Sequence, residues 1–290
     1  MNRLPEDVLP AAGSPPSASQ SKSLQHDPLQ PEWLQPDWPA PTGVRARITL
    51  RSGGVSTGAH GAADGRGGLN LGAACGDAAA AVSANRALLL RDLPSAPRWL
   101  RQVHGARVVD AARVGEEPVE ADAAWTDQPG VVAAIQMADC LPVLLADARG
   151  RCVGVAHAGW RGLAAGVIQA TAHAMRAGIG DPSAPLLAYL GPAIGPDHFE
   201  VGREVVMAVQ DGLPGVDLQR AFVARGKGKY LADLYALARL ALAQVEVPEV
   251  HGGGLCTACD PVRFYSHRRD RVTGRHAALI WLETPGGTAG

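Results

Sequence analysis

The chain lacks any apolar run long enough to cross a bilayer. Its longest, Gly130 to Met137 and Leu141 to Ala146, fall far short of the about 20 residues a spanning helix needs, and Asp139 stands between them. A secretory start is missing as well, because Glu6, Asp7 and several prolines occupy the place of a basic end and an apolar stretch. A cytoplasmic protein with no membrane partner is therefore expected. No long block of Lys or Arg is present, and 27 basic residues nearly cancel 28 acidic ones. Nothing could neutralise a run of phosphates, so nucleic acid is not an expected partner. Five cysteines, at 75, 140, 152, 256 and 259, are an odd set in a chain of 290 residues that can fold without staples, which argues against a disulfide framework. Their thiols are free to act as ligands or nucleophiles. Cys256-Thr257-Ala258-Cys259 has the C-x-x-C form, but a zinc knuckle would need a second ligand pair. Only His251 and His267 are candidates, and no thioredoxin-like strand and helix surrounds the motif, so the pair is not read as a site.

Residues 1–41 are rich in Pro, Ser, Gln and Asp and have no apolar period despite Trp33 and Trp38, so they read as a flexible leader. From Val44 to Leu50 the residues alternate like a half-buried strand, and a Gly-rich stretch then runs from Arg51 to Gly76. Asp77 is placed to cap a helix reaching Leu93, and strands are expected around Trp99 to Val103 and Arg107 to Asp110. Val131 to Met137, Val143 to Ala146, Cys152 to Ala156, Leu186 to Leu190 and Ala277 to Leu282 suit buried strands. Helices are expected over Trp160 to Ala177, Arg203 to Gln210 and Tyr230 to Val245. Strands and helices are mixed along the chain and no repeat occurs, so one α/β domain over residues 42–284, with a short tail at 285–290, is the simplest organisation.

Three segments put a metal-competent side chain at a strand end: Gln102-Val103-His104-Gly105, Ala138-Asp139-Cys140-Leu141-Pro142 and Ala156-His157-Ala158-Gly159-Trp160-Arg161-Gly162. Two imidazoles and a thiolate are the donors of a catalytic zinc site that keeps its fourth position open. The alternative is that both histidines are satisfied strand-end residues and Cys140 a small core residue. Gly159 to Gly162 marks a handover from strand to helix, where backbone N–H groups and the Arg161 guanidinium could receive an anion such as phosphate, or where the glycines merely permit a turn. Arg51 and the pair Arg268-Arg269 offer further planar donors. Asp139 would point to the face opposite Cys140 on a regular pleat, which suits a supporting role better than ligation.

Together with other ordered motifs, these segments resemble the signature of the laccase-domain family, also called multicopper polyphenol oxidases and typified by YfiH-type purine nucleoside phosphorylases. The further motifs are Arg51-Ser52-Gly53-Gly54-Val55-Ser56, Leu69-Asn70-Leu71-Gly72, Gly76-Asp77, Asn85-Arg86, Ala121-Asp122-Ala123, Gly191-Pro192-Ala193-Ile194-Gly195-Pro196, Phe199-Glu200-Val201-Gly202, Cys256-Thr257 and Phe264-Tyr265-Ser266-His267-Arg268-Arg269-Asp270. The resemblance implies a four-layer α/β/β/α sandwich of two mixed sheets between helices. It also implies one zinc ion, copper being the other metal associated with the family, on His104, Cys140 and His157. Purine nucleosides and phosphate are the implied partners: phosphorolysis of adenosine, inosine and methylthioadenosine, and deamination of adenosine. Arg161 joins the three ligands as a catalytic candidate, with Arg51, Asn70, Gln102, Arg268 and Arg269 as expected substrate contacts. The chain departs from the common pattern at Leu50, where Thr is usual, and in an enlarged Ala/Gly loop before Leu69; neither touches a metal ligand.

Three other functions compete. A copper-dependent polyphenol oxidase of the multicopper kind needs His-x-His pairs for its clusters, and this chain has none. A cysteine hydrolase would use Cys140 as nucleophile and His157 as base on an amide or ester, such as a peptidoglycan precursor, a substrate class the family has also been linked to. A binding protein with a structural metal would close the fourth coordination position. A monomer is expected, and residues before about Thr42 should be dispensable for folding and activity.

Overall fold

The computed structural model describes residues 29–284. Its strands are β1 (Trp33–Leu34), β2 (Val44–Thr49), β3 (Ser52–Ser56), β4 (Leu100–Arg101), β5 (Val108–Asp110), β6 (Val119–Glu120), β7 (Ala123–Thr126) and β8 (Ala133–Met137) in the first half. The second half adds β9 (Leu141–Asp147), β10 (Val153–Ala158), β11 (Leu186–Leu190), β12 (Glu200–Gly202), β13 (Phe222–Gly226), β14 (Lys229–Ala232), β15 (Glu249–Gly252) and β16 (His276–Leu282). The helices are α1 (Ala79–Leu89), α2 (Trp160–Ala164), α3 (Val167–Gly178), α4 (Arg203–Gly212), α5 (Leu234–Gln244) and α6 (His267–Asp270). No helix among the described residues is long and apolar enough to cross a membrane.

Two sheets dominate. One has the order β1-β2-β16-β8 and the other β15-β11-β9-β10-β7-β5. The first is antiparallel throughout, whereas the second is mixed, its outer pairs β11–β15 and β5–β7 being parallel. Their stacking follows from the period-two alternation of a strand. Along β9, Leu144 and Ala146 face the core between the sheets, while Leu141, Val143 and Leu145 face the core under the helices. Along β16, Ala278, Ile280 and Leu282 face the same inter-sheet core, and Ala277, Leu279 and Trp281 turn outward onto Leu69, Leu71, Leu88 and Leu89. Both faces of each strand are thus covered. The result is an α/β/β/α sandwich with α3, α5 and their neighbours on one side and α1 on the other.

Some expected elements change. The helix expected over Trp160 to Ala177 is two helices, because Gly166 takes φ +81, a left-handed value that an L side chain rarely adopts. The helix expected from Tyr230 begins only at Leu234: residues 229–232 pair with β12 and β13 instead, and Asp233 caps α5 by accepting from the N–H groups of Tyr235 (2.8 Å) and Ala236 (3.0 Å). Asp77 does not cap α1 as expected. Its carboxylate accepts from Ser56 Oγ and Asn70 Nδ2, tying the Gly-rich loop together.

The leader also needs correcting. Residues 1–28 and the tail 285–290 lie outside the described residues, but from Glu32 onward the segment is part of the packed body. Trp33 and Leu34 pair with Thr49 and Ile48, the Leu50 N–H donates to the Glu32 carbonyl at 2.9 Å, and the Trp33 indole donates to Asp92 at 3.0 Å. Trp38 packs on Tyr189 with ring centroids 6.1 Å apart. The missing apolar period was a poor guide because few residues anchor the segment, each through one large ring. Accordingly, Trp33→Ala should destabilise the protein by about 2 kcal/mol, below the loss for a fully buried Trp because the ring is half-buried. That corresponds to a Tm lowered by roughly 4–8 °C in a chain of this size. Deletion up to residue 41 should cost at least as much, and a melting temperature unchanged by either would show that the docking contributes nothing.

Candidate metal centre

The strand register brings Cys140 and His157 together. In the β9–β10 pair, Pro142 lies opposite His157 and Leu141 opposite Ala158, so one further step sets Cys140 across from Gly159. A Cβ on Gly159 would lie 2.7 Å from the Cys140 sulfur, so only glycine leaves room for the thiol. His104 comes from the loop between β4 and β5, with its backbone at φ +62, and Asp139 beside Cys140 has φ +83. Two non-glycine residues in left-handed conformations at one site are strain that the surroundings must hold in place. The metal-competent atoms of His104, Cys140 and His157 all lie within 4.8 Å of one another, and the two imidazoles meet edge to face at 4.9 Å between centroids.

Much of that holding falls to Asp122, which is fully buried just before β7. Its carboxylate accepts from the backbone N–H groups of Val103 (3.1 Å), His104 (2.9 Å) and Gly105 (2.8 Å), and pairs with His157 Nδ1 at 2.9 Å. Its own carbonyl accepts from the His157 N–H at 2.8 Å. One side chain therefore shapes the loop that carries His104 and fixes the ring of His157, leaving Nε2 of that ring for Cys140 or a metal. Asp139 does the same for the other wall. Its carboxylate accepts from Thr257 Oγ1 and the Arg268 N–H, both at 2.6 Å.

These neighbours set the charge state. Burial pushes the Cys140 thiol up, but the adjacent His157 imidazole and hydrogen bonds with both histidines outweigh it, so the thiolate is favoured. Burial likewise pushes His157 down, and the Cys140 thiolate and Asp122 more than reverse this. Asp122 itself is raised by burial, but hydrogen bonds from His157, Gly105 and Val103 hold it below the usual carboxylate range. A half-buried thiolate with two imidazoles, supported by a carboxylate on the far nitrogen of one ring, has the chemistry of a zinc-type donor set.

Cys140 opens onto a cleft of about 140 Å³ lined by Gly159, Trp160, Ile194, Phe199, Leu234, His267 and Arg268, among others. Arg268 donates through Nη1 to the carbonyls of His198 and Glu200, both at 3.1 Å, which fixes its guanidinium at the rim over Phe199. Arg161 is exposed and stacks on Trp160, 4.3 Å from the ring centroid. The other expected substrate contacts point elsewhere. Arg51 is buried, with its guanidinium donating to the Gly61 and Pro261 carbonyls and facing Asp270. Asn70 is fully buried and binds Gly72, Asp77 and the Arg275 N–H. Gln102 bonds through both amide atoms to the backbone of Gln136, and Arg269 bonds to Asp270 and the Thr257 and Phe264 carbonyls. As read from the sequence these four were substrate contacts; as placed, their polar atoms hold loops together. The cleft residues Ile194, Phe199 and Leu234 were missed, being individually ordinary apolar residues.

A profile of the family described as multi-copper polyphenol oxidoreductase laccase matches residues 45–283, and the chain belongs to that family. Among its relatives, a protein of Pseudomonas aeruginosa named purine nucleoside phosphorylase is 49% identical over 248 residues, 84% of this chain and 96% of that protein. The Escherichia coli purine nucleoside phosphorylase YfiH is 45% identical with the same coverage. A solved Neisseria meningitidis structure superposes with a TM-score of 0.79 at 46% identity, over 87% of this chain and 99% of that one.

Asp122→Asn should lower metal affinity 10- to 100-fold in a competition titration, the usual loss when a ligand's supporting partner is removed. Because the folded-state pKa of Asp122 lies below its unfolded value, its stabilisation is present above about pH 4 and fades as pH falls through the depressed value. The stability gap between wild type and Asp122→Asn should therefore narrow in acid, and a gap that widened there would refute this role. Gly159→Ala should abolish metal binding in a protein that still folds, since the methyl group would lie 2.7 Å from the Cys140 sulfur and push it aside.

Proposed function

We propose that this protein is a purine nucleoside phosphorylase whose metal, zinc by preference and copper as the other ion its donors suit, is held by His104, Cys140 and His157. Adenosine deamination is proposed as a second activity of the same cleft. The observation that carries the reading is the cleft itself: its walls at Trp160, Ile194, Phe199 and Leu234 are apolar or aromatic, its floor is Cys140, and Arg268 stands at its rim. The names of the relatives from Pseudomonas aeruginosa and Escherichia coli support it.

The cleft is smaller than the 300–1,000 Å³ typical of pockets that enclose a ligand. It suits a flat base between aromatic walls, with the ribose and phosphate extending toward the open mouth. Phosphorolysis forms a bond from a phosphate oxygen to the ribose C1′ and breaks the bond from C1′ to the purine nitrogen. The purine leaves with the bonding pair and takes up a proton, giving free base and ribose 1-phosphate. Arg268 and Arg161 are the groups proposed to hold the phosphate and offset charge that grows in the transition state. The anion site rests on these side chains more than on the dipole of α2, which is only five residues long. When bound, the metal supplies a Lewis acid beside the base. In deamination, water replaces the purine amino group and ammonia leaves, a reaction with no need of the phosphate site.

A cysteine hydrolase acting on an amide or ester, a peptidoglycan precursor for example, is favoured by a different observation. Cys140, His157 and Asp122 form a thiol, imidazole and carboxylate series, with the carboxylate on Nδ1. Metal content separates the two readings, because a thiolate bound to metal is not free to attack.

The test is to load the full chain with zinc and supply adenosine, inosine or methylthioadenosine with and without phosphate. Free base and the matching sugar 1-phosphate, ribose 1-phosphate from adenosine or inosine and 5-methylthioribose 1-phosphate from methylthioadenosine, should appear only with phosphate, and Cys140→Ala should abolish every activity. Arg161→Lys should slow phosphorolysis by about 10²-fold while deamination falls much less. No phosphate-dependent cleavage by protein shown to contain metal would overturn the proposal. Full phosphorolysis by Arg161→Lys would leave Arg268 as the phosphate ligand.

A further inference from the structure

A second cluster of donors lies outside this cleft, where the C-x-x-C motif meets a histidine from another loop. Gly195 accepts from the N–H groups of His198 (3.1 Å) and Phe199 (3.2 Å), making a tight turn that carries His198 back over the motif. The two loops are zipped together, the Ala193 N–H donating to Leu255 and the Thr257 N–H to Ala193. His198 Nδ1 then lies 3.5 Å from the Cys259 sulfur and 3.9 Å from that of Cys256, and the donor atoms of all three residues are within 4.8 Å of one another. His251 and His267, the partners that spacing alone suggested, do not belong to this cluster.

We infer that His198, Cys256 and Cys259 form a second zinc site, with Nδ1 and the two sulfurs as ligands and the fourth position open to solvent. In a tetrahedral site with zinc–sulfur bonds of about 2.3 Å and zinc–nitrogen bonds of about 2.0–2.1 Å, sulfur and nitrogen stand about 3.5 Å apart. The cluster is already close to that spacing, so binding requires only small side-chain shifts. Both thiols are unpaired. Cys256 also accepts the Gly195 N–H at 3.2 Å, and a Cβ at Gly195 would come within 3.2 Å of the same sulfur, so the turn seats this thiol closely. Two thiolates and an imidazole select zinc over hard cations such as magnesium or calcium. On binding, the thiols give up their protons to solvent as the two zinc–sulfur bonds form. The site has consequences for the cleft, because it clamps the residue next to Thr257, which holds Asp139, and the residue whose carbonyl holds Arg268. Zinc there would tie together the two loops that form one wall of the cleft.

The test is zinc stoichiometry of the full chain, kept reduced, after dialysis against zinc alone. Wild type should hold two equivalents. Cys259→Ser and His198→Asn should each hold one, and Cys140→Ala should keep the equivalent that those variants lose. Both tested side chains are exposed, so the variants should fold, which circular dichroism would verify. One equivalent in wild type that is lost in Cys259→Ser but kept in Cys140→Ala would support this site while overturning the first. A wild type whose zinc content is unchanged by Cys259→Ser and by His198→Asn would overturn the inference.

Discussion

The architecture of the centre depends on a charge that has been taken out of water. A carboxylate buried without partners would be unstable by several kcal/mol, and at Asp122 that cost is offset by three backbone N–H groups and an imidazole. The arrangement is mutual. The same carboxylate holds the loop at 103–105, which carries His104 in a left-handed conformation, and fixes Nδ1 of the His157 ring, whose other side meets Cys140 and His104. The geometry of the candidate centre is thus set by an interaction that its metal-competent atoms do not take part in. Removing Asp122 would loosen two of the three donors at once, whereas removing either histidine would leave the other in place.

Most of the layers were legible in the sequence because they follow from alternation. Residues 277–282 and 143–146 are apolar at successive positions, which is what strands covered on both faces require. The three residues of the candidate centre could be singled out from the sequence, each at a strand end within a recognisable motif, and the fold brings them together. What could not be read was tertiary: that the β9–β10 register sets Cys140 opposite Gly159, and that Arg51, Asn70, Gln102 and Arg269 spend their polar atoms on backbone and internal partners. A polar residue in a motif looks the same whether it faces a ligand or a loop. Asp122 was visible as an acid between alanines ahead of a strand, a place where charge is expensive, and that anomaly was the available signal. His198 could not be assigned to the C-x-x-C motif by spacing, since a turn more than fifty residues upstream delivers it.

The same atoms support two chemistries that share a first step, the formation of a thiolate at Cys140. His157, polarised by Asp122, stabilises that thiolate whether it goes on to hold a cation or to attack a carbonyl carbon. This ambiguity is intrinsic to a Cys–His–Asp series. His104 is where the two chemistries differ: a nucleophile needs one base, whereas a further imidazole beside the sulfur is a feature of a metal-donor set.

The docked segment before β2 has a consequence for how copies of the chain behave toward one another. β2 would otherwise be the outer strand of its sheet, presenting a ladder of unpaired N–H and C=O groups to any strand that drifts by. Trp33 and Leu34 occupy part of that ladder, and the Gln35 amide donates to the Ala46 carbonyl at 3.2 Å, so a side chain continues the cover where the backbone stops pairing. Asp37 and the prolines at 36 and 39 follow, residues poorly suited to extending a ladder. The chain in effect supplies its own terminator for this edge of the sheet, so a segment of few contacts covers backbone groups as well as anchoring itself.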